Sequence, residues 1–178
     1  MLKCLRINNG GEFKSEEFVK FCRERGIRRE YTAPYSPEEN GIAERMNQTI
    51  QERVVSMLQH SGLSDGLWAE ALLTTVHIIN MSPSRPLGLK IPQEIWTGSK
   101  PSYDKLRIFG CEAYALIPKD DRRKPEPRSR KCVFLGYGPD GKIGYRLWDP
   151  EHRQILQSSN VVFNESAMHK MAERPIEV

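Results

Sequence analysis

Two blocks near the start of the chain decide how the rest is read: L-R-I-N-N-G-G-E-F at 5–13 and S-P-E-E-N-G-I-A-E-R-M-N at 36–47. Thirty-five residues separate Asn8 in the first from Glu44 in the second. Lys3 to Ile7 reads as a short strand that runs into Asn8-Asn9-Gly10-Gly11. Asn and Gly tolerate positive φ, so a sharp turn is predicted there, one that can present a side chain from a strand end. Ser36 and Glu39 have capping-box spacing with Pro37 at the first helical position, which predicts a helix from there to about His60. Its apolar stripe is Ile42, Met46, Ile50, Val54, Met57 and Leu58. Glu44 stands two residues past Ile42, about 200° around the helix at 3.6 residues per turn, and so lies off that stripe. It shares a face with Asn40, Gln48 and Gln51. Gly41 inside the helix costs on the order of 1 kcal/mol relative to Ala. A close approach of backbone or ligand would account for it, and an incidental glycine is the plainer alternative.

Between the blocks, Ser15 is placed as an N-cap, with Glu16 and Glu17 favourable to the helix dipole. Phe18, Phe21, Cys22 and Arg25 follow at helical spacing, Gly26 closes the helix, and Ile27 to Ala33 reads as a second strand stopped by Pro34. Strand, helix and strand in that order are an α/β pattern. Beyond Gly62, Ser64 caps a helix from Asp65 to about Asn80. Its wide apolar face is Leu67, Trp68, Ala71, Leu72, Val76 and Ile79, suited to core packing or to self-association. Residues 83–105 are rich in Pro, Gly and Ser. The Ile95-Trp96 pair suggests that this connector lies on protein. From Leu106 the pattern changes to short strands: 107–117, 131–137, 144–149, 154–158 and 161–163, with turn signals at Gly138-Pro139-Asp140-Gly141 and Asp149-Pro150-Glu151-His152. They suggest a small barrel or curled sheet, followed by a frayed tail from 165.

Composition narrows the classes. Hydrophobic content of 38% and charged content of 28% suit a globular protein, and the net charge of +4 is compatible with a nucleic-acid partner. The run from Lys119 to Lys131 is mostly basic and reads either as a solvated loop or as a nucleic-acid contact through Arg122, Arg123, Lys124, Arg128, Arg130 and Lys131. The four cysteines have no metal-ligand spacing. No apolar run approaches the length of a membrane span, no secretory signal is visible, and the expected location is nucleus or cytoplasm.

The two opening blocks together resemble the second half of the D,D-35-E signature of integrases, whose blocks read L-R-x-D-N-G-G-E-[FY] and [ST]-P-x-x-N-G-x-A-E-R-x-N. L-W-A-E-A at 67–71, L-R-I-F-G-C-E-A-Y at 106–114, F-L-G-Y at 134–137 and G-Y-R-L-W-D-P at 144–150 are similar to the Ty/copia-type LTR-retrotransposon integrases, the Tnt-type among them. The resemblance implies a ribonuclease-H-like integrase core, truncated here, over 1–82. A connector follows at 83–105, a small SH3-like β barrel at 106–166 and a tail at 167–178. It places Glu44 on the catalytic, metal-binding glutamate and Asn8 on the second catalytic aspartate. It implies Mg²⁺ as cofactor, DNA as partner, and a homo-oligomer or an intact integrase as protein partner. Carboxylates are what such a site needs, because hard divalent cations prefer their oxygens and two metals clamp an in-line phosphoryl transfer. The chain departs from the pattern at Asn8. The family's first aspartate and its zinc module belong before residue 1. Met46 and Gln48 stand where the family commonly carries basic residues. The expectations are therefore a catalytically inactive integrase fragment, a non-enzymatic nucleic-acid-binding or integrase-interacting remnant, or a degenerate reading frame.

Overall fold

The computed structural model describes residues 2–33, 40–117, 127–138 and 144–169. The chain divides into two compact units, Met1–Thr49 and Ile50–Val178. The cap at Ser36 and Pro37, the residues Arg122, Arg123 and Lys124, and the tail from 170 lie outside the described residues.

In the first unit, β1 (Cys4–Ile7) and β2 (Arg28–Tyr31) pair in parallel, Cys4 opposite Arg28 and Ile7 opposite Tyr31. Parallel neighbours need a crossover, and α1 (Glu16–Glu24) supplies it. Ser15 Oγ accepts the Phe18 N–H at 3.3 Å, so the helix begins where its cap predicts. It ends as Gly26 takes φ +64° and the Ile27 N–H reaches Cys22 O at 2.9 Å, which satisfies a terminal carbonyl. Cys22 and Ile7 form the buried centre of this small unit. Phe21, expected on the packed face of α1, is instead exposed beneath the Arg25 guanidinium, 4.0 Å from its ring centroid.

The helix α2 (Gly41–Ser61) runs through the unit boundary. Its predicted stripe is buried only from its middle onward. Val54 and Leu58 are each 7% exposed, whereas Ile42 is 80% and Met46 45% exposed. Periodicity states which face a helix can bury, and it cannot state that a partner is present. A Cβ added at Gly41 would meet nothing within 4 Å, so among the described residues no close approach explains that glycine.

In the second unit, α3 (Trp68–Met81) follows a short 3-10 turn at Asp65–Leu67, and α4 (Pro92–Thr97) lies in the connector. Five strands follow: β3 (Cys111–Leu116), β4 (Ser129–Tyr137), β5 (Tyr145–Asp149), β6 (Gln154–Ser158) and β7 (Val161–Met168). They form one antiparallel sheet in the order β6-β5-β4-β3-β7. The central strand β4 explains its own apolar run. Side chains alternate across a strand, so Val133 and Leu135 join Val54, Leu58, Ala71 and Phe109 from the helical side. Cys132 and Phe134 join Cys111, Ala113 and Leu147 within the curl of the sheet. The tail expected from 165 is in fact strand as far as Met168, and the His169 N–H donates to Gly110 O at 3.2 Å.

The apolar face expected of α3 is buried in part: Ala71 is in the core and Leu67 and Leu72 pack against it, but Trp68 is 56% and Val76 36% exposed, and the polar Glu70, Thr74 and Thr75 are buried as well. The physical reason lies across the interface, where three polar side chains of α3 meet dedicated partners. Glu70 takes a bidentate grip from Arg146, with Nε to Oε2 at 2.7 Å and Nη2 to Oε1 at 2.6 Å. Thr74 Oγ1 donates to Leu135 O at 2.6 Å, and the His77 ring stacks on Tyr137 at 4.3 Å. β4 is irregular between Phe134 and Gly136, and Gly136 has φ +153°. A Cβ there would sit on Thr74 Oγ1, so only glycine lets helix and bulge approach this closely. Ile95 and Trp96 of α4, expected to lie on protein, are 53% and 71% exposed. The connector is held by Tyr103, whose hydroxyl donates to Met81 O at 2.9 Å.

Candidate functional site

Asn8 follows directly on β1, half-buried. The turn predicted there forms without any positive φ at residues 8–11. Asn8 makes it with its own side chain: Oδ1 accepts the Gly10 N–H at 3.0 Å, an Asx turn. Asn9 holds the turn against the next strand, with Nδ2 donating to Thr32 O at 3.0 Å. The one atom of Asn8 suited to a cation is therefore already engaged by a backbone donor.

Glu44 lies exposed in the first turn of α2 and makes no hydrogen bond or ion pair among the described residues. Gln48, one turn on, and Gln51, further along the helix, are exposed as well, and Asn40 is half-buried just before α2 begins. Among the described residues, no group of three or more His, Cys, Asp or Glu side chains is arranged to hold a metal ion. As a donor set for Mg²⁺, Asn8 and Glu44 amount to one carboxylate and one neutral amide whose oxygen is in use. Hard cations select charged carboxylate oxygens, so these residues do not fit the two-metal site that the sequence pattern suggests.

The basic segment is equally specific in what it engages. Arg128 is exposed just before β4 begins. Arg130 Nη1 reaches Asp149 Oδ2 at 3.1 Å, and Lys131 Nζ pairs with Glu112 on the neighbouring strand. The bond to Lys131 holds the Glu112 carboxyl below the usual carboxylate range, and the same bond raises the Lys131 ammonium. Two of the cations expected at a nucleic-acid contact thus have counter-ions within the sheet.

Asp149 itself is fully buried at the end of β5. Its Oδ1 accepts the N–H groups of Glu151 and His152 at 3.0 and 3.1 Å, and its Oδ2 meets His152 Nδ1 at 2.9 Å as well as Arg130. The turn signal Asp149-Pro150-Glu151-His152 marked this place without revealing how many donors converge on one carboxylate.

Among the described residues, two cavities of the second unit stand out. The larger, about 810 Å³, lies against the α3–sheet contact just described, between Glu70, His77, Trp96, Tyr137 and Arg146. The smaller, about 360 Å³, lies between the second half of α2, α3 and the segment before β3. Neither was foreseen from sequence. The helical spacing of Arg53, Met57 and His60 on α2 was the available signal for the smaller one.

Two family profiles match the chain. "Integrase core domain" covers residues 25–67 and "Retroviral polymerase SH3-like domain" covers 111–177. The chain is 48% identical over 172 residues to the retrovirus-related Pol polyprotein from transposon TNT 1-94 of Nicotiana tabacum, a match that covers 97% of this chain and 13% of that protein. It is 36% identical over 159 residues to the retrovirus-related Pol polyprotein from transposon RE1 of Arabidopsis thaliana, covering 89% of this chain and 11% of that one. An uncharacterised mitochondrial protein of Arabidopsis thaliana is 45% identical over 86 residues, which cover 48% of this chain and 69% of that protein. The chain thus spans about an eighth of the length of the Pol polyproteins it matches.

Proposed function

The chain belongs to the retrovirus-related Pol polyproteins of transposons, with integrase-core sequence followed by an SH3-like domain, and from that premise we propose that it binds nucleic acid without cutting or joining it. The observation that carries the second half of this reading is the engagement of Asn8. Where the resemblance calls for a carboxylate, the chain has an amide, and its oxygen accepts the Gly10 N–H. An amide brings no negative charge to offset divalent cations, and Glu44 is exposed with no hydrogen bond or ion pair among the described residues. The DNA integration of the wider family, with its divalent metal, is therefore not assigned to the residues of this chain.

The net charge of +4 and the exposed Arg128 support the binding half, together with the basic residues Arg122, Arg123 and Lys124 of the same segment. Neutralising phosphates releases condensed counterions, so affinity is expected to fall steeply with salt. The test is fluorescence anisotropy with a labelled DNA duplex over a range of KCl. Replacing Arg122, Arg123 and Lys124 together by Ala is expected to flatten the slope of log affinity against log salt, by about 0.9 for each phosphate that is no longer neutralised. An absence of binding at low salt removes the binding reading. Mg²⁺-dependent trimming of a DNA end by this chain, abolished by Glu44→Gln, removes the non-catalytic reading.

A further inference from the structure

The smaller cavity of the second unit combines three features that together describe a ligand. Its rim carries the cationic or cation-forming side chains Arg53, His60 and Arg107, and among the described residues no carboxylate lines it. Its floor is apolar, with Met57 and Phe109 among the side chains that form it. At its inner wall stands Thr75, 1% exposed, whose Oγ1 has no hydrogen-bond partner among the described residues.

Buried hydroxyls are normally satisfied, so an orphan on a residue that lines a cavity marks a place where the chain leaves a polar atom unmet. Arg53 and His60 are in no ion pair among the described residues, in contrast to Arg130, Lys131 and Arg146 of the same unit. Arg107 is held in place, with Nη1 donating to Asp104 O at 2.9 Å and Leu106 O at 2.6 Å. Glu165, whose Oε1 accepts the Ile108 N–H at 2.9 Å, does not line the cavity. A volume of about 360 Å³ lies in the range of small-molecule sites.

We propose that this cavity takes a single nucleotide unit, its phosphate at Arg53 and Arg107 and its base on the apolar floor with a polar edge at Thr75 Oγ1. Arginine forks match phosphate oxygens, and a planar ring suits a floor of thioether and phenyl groups. The proposal deepens the nucleic-acid reading and rests on it for the source of the nucleotide, which is either one residue of a bound strand or a free nucleotide.

The test uses the full chain with adenosine 5′-monophosphate, adenosine and inorganic phosphate as probes in titration calorimetry. A labelled single-stranded oligonucleotide is followed in parallel by anisotropy. The monophosphate is expected to bind saturably and more tightly than either adenosine or phosphate alone. Arg53→Ala is expected to weaken it about tenfold, as for removal of a charge-assisted hydrogen bond. Thr75→Val, which keeps the shape and removes the orphan hydroxyl, is expected to weaken the monophosphate about fivefold, leave inorganic phosphate unchanged and leave the urea midpoint unchanged or raised. Displacement of the oligonucleotide by the monophosphate assigns the cavity to a strand. Monophosphate binding in a chain that holds no oligonucleotide keeps the cavity proposal with a free nucleotide as its ligand, and sinks the nucleic-acid reading. Absent monophosphate binding, or binding indifferent to both substitutions, overturns the proposal even if the oligonucleotide still binds.

Discussion

Arg146→Ala is expected to destabilise the second unit by about 3 kcal/mol, the lower part of the range for stripping one partner from a buried ion pair. The partner left behind is Glu70, a residue only 8% exposed on α3. With Arg146 present, both carboxylate oxygens are satisfied, and the grip joins α3 to β5. Without it, the carboxylate faces the larger cavity, so water tempers the loss without removing it. The measurement is urea unfolding, in which about 3 kcal/mol at a slope of about 2 kcal/mol/M moves the midpoint by about 1.5 M. Arg146→Lys recovers only part, because an ammonium cannot form the two parallel bonds of the fork. The double variant Glu70→Leu with Arg146→Met is expected to be more stable than Arg146→Ala alone, since a well-packed apolar pair often replaces a buried ion pair without loss. A double variant as unstable as the single one would mean that the pair supplies packing that apolar groups cannot replace.

The second large effect is expected at Asp149. Asp149→Ala removes the common acceptor of the Glu151 and His152 N–H groups, the His152 ring and Arg130, at a cost of roughly 3 kcal/mol for a buried charge-assisted network. The carboxyl also ties stability to pH. Burial pushes it up, but the His152 N–H, the His152 ring and the Glu151 N–H together hold it below the usual carboxylate range. A folded value below the unfolded one, about 3.9, means that the contribution is complete above that pH. It is lost as the pH falls through the depressed folded value. Asp149→Asn keeps the shape and cannot titrate. The stability difference between the natural chain and Asp149→Asn is therefore expected to shrink as the pH falls below about 4. A difference that does not change down to pH 2 would remove the charge from the account.

Much of the architecture was legible because local chemistry and tertiary structure agree. The Ser15 cap, Gly26 at the helix end and the run Gln154–Ser158 each say locally what the fold does with them. The apolar run of β4 announces a strand buried on both faces. The polar part of the α3 face was not legible, because Glu70, Thr74 and His77 count as polar until Arg146, Leu135 O and Tyr137 are placed against them. Arg130 and Lys131 failed in the opposite sense. In sequence they belong to a basic run, but in the sheet each is brought beside an acid from an adjacent strand. At the candidate site the sequence showed that residue 8 is an amide. Only the structure shows that its oxygen is in use.

The buried cysteines give each unit its own chemical clock. Cys111 and Cys132 are buried in β3 and β4, and burial pushes both thiols up to about 11. Near neutral pH they are therefore protonated as well as shielded, and an alkylating reagent can reach a thiolate only after the sheet opens. Cys22 is just as shielded in the first unit, while Cys4 of the same unit is half-buried on β1. Under native conditions the modification rate of Cys22 thus measures how often the first unit opens, and the rates of Cys111 and Cys132 measure the same for the second. Mass spectrometry of one labelled sample then separates the lifetimes of the two units without cutting the chain between them.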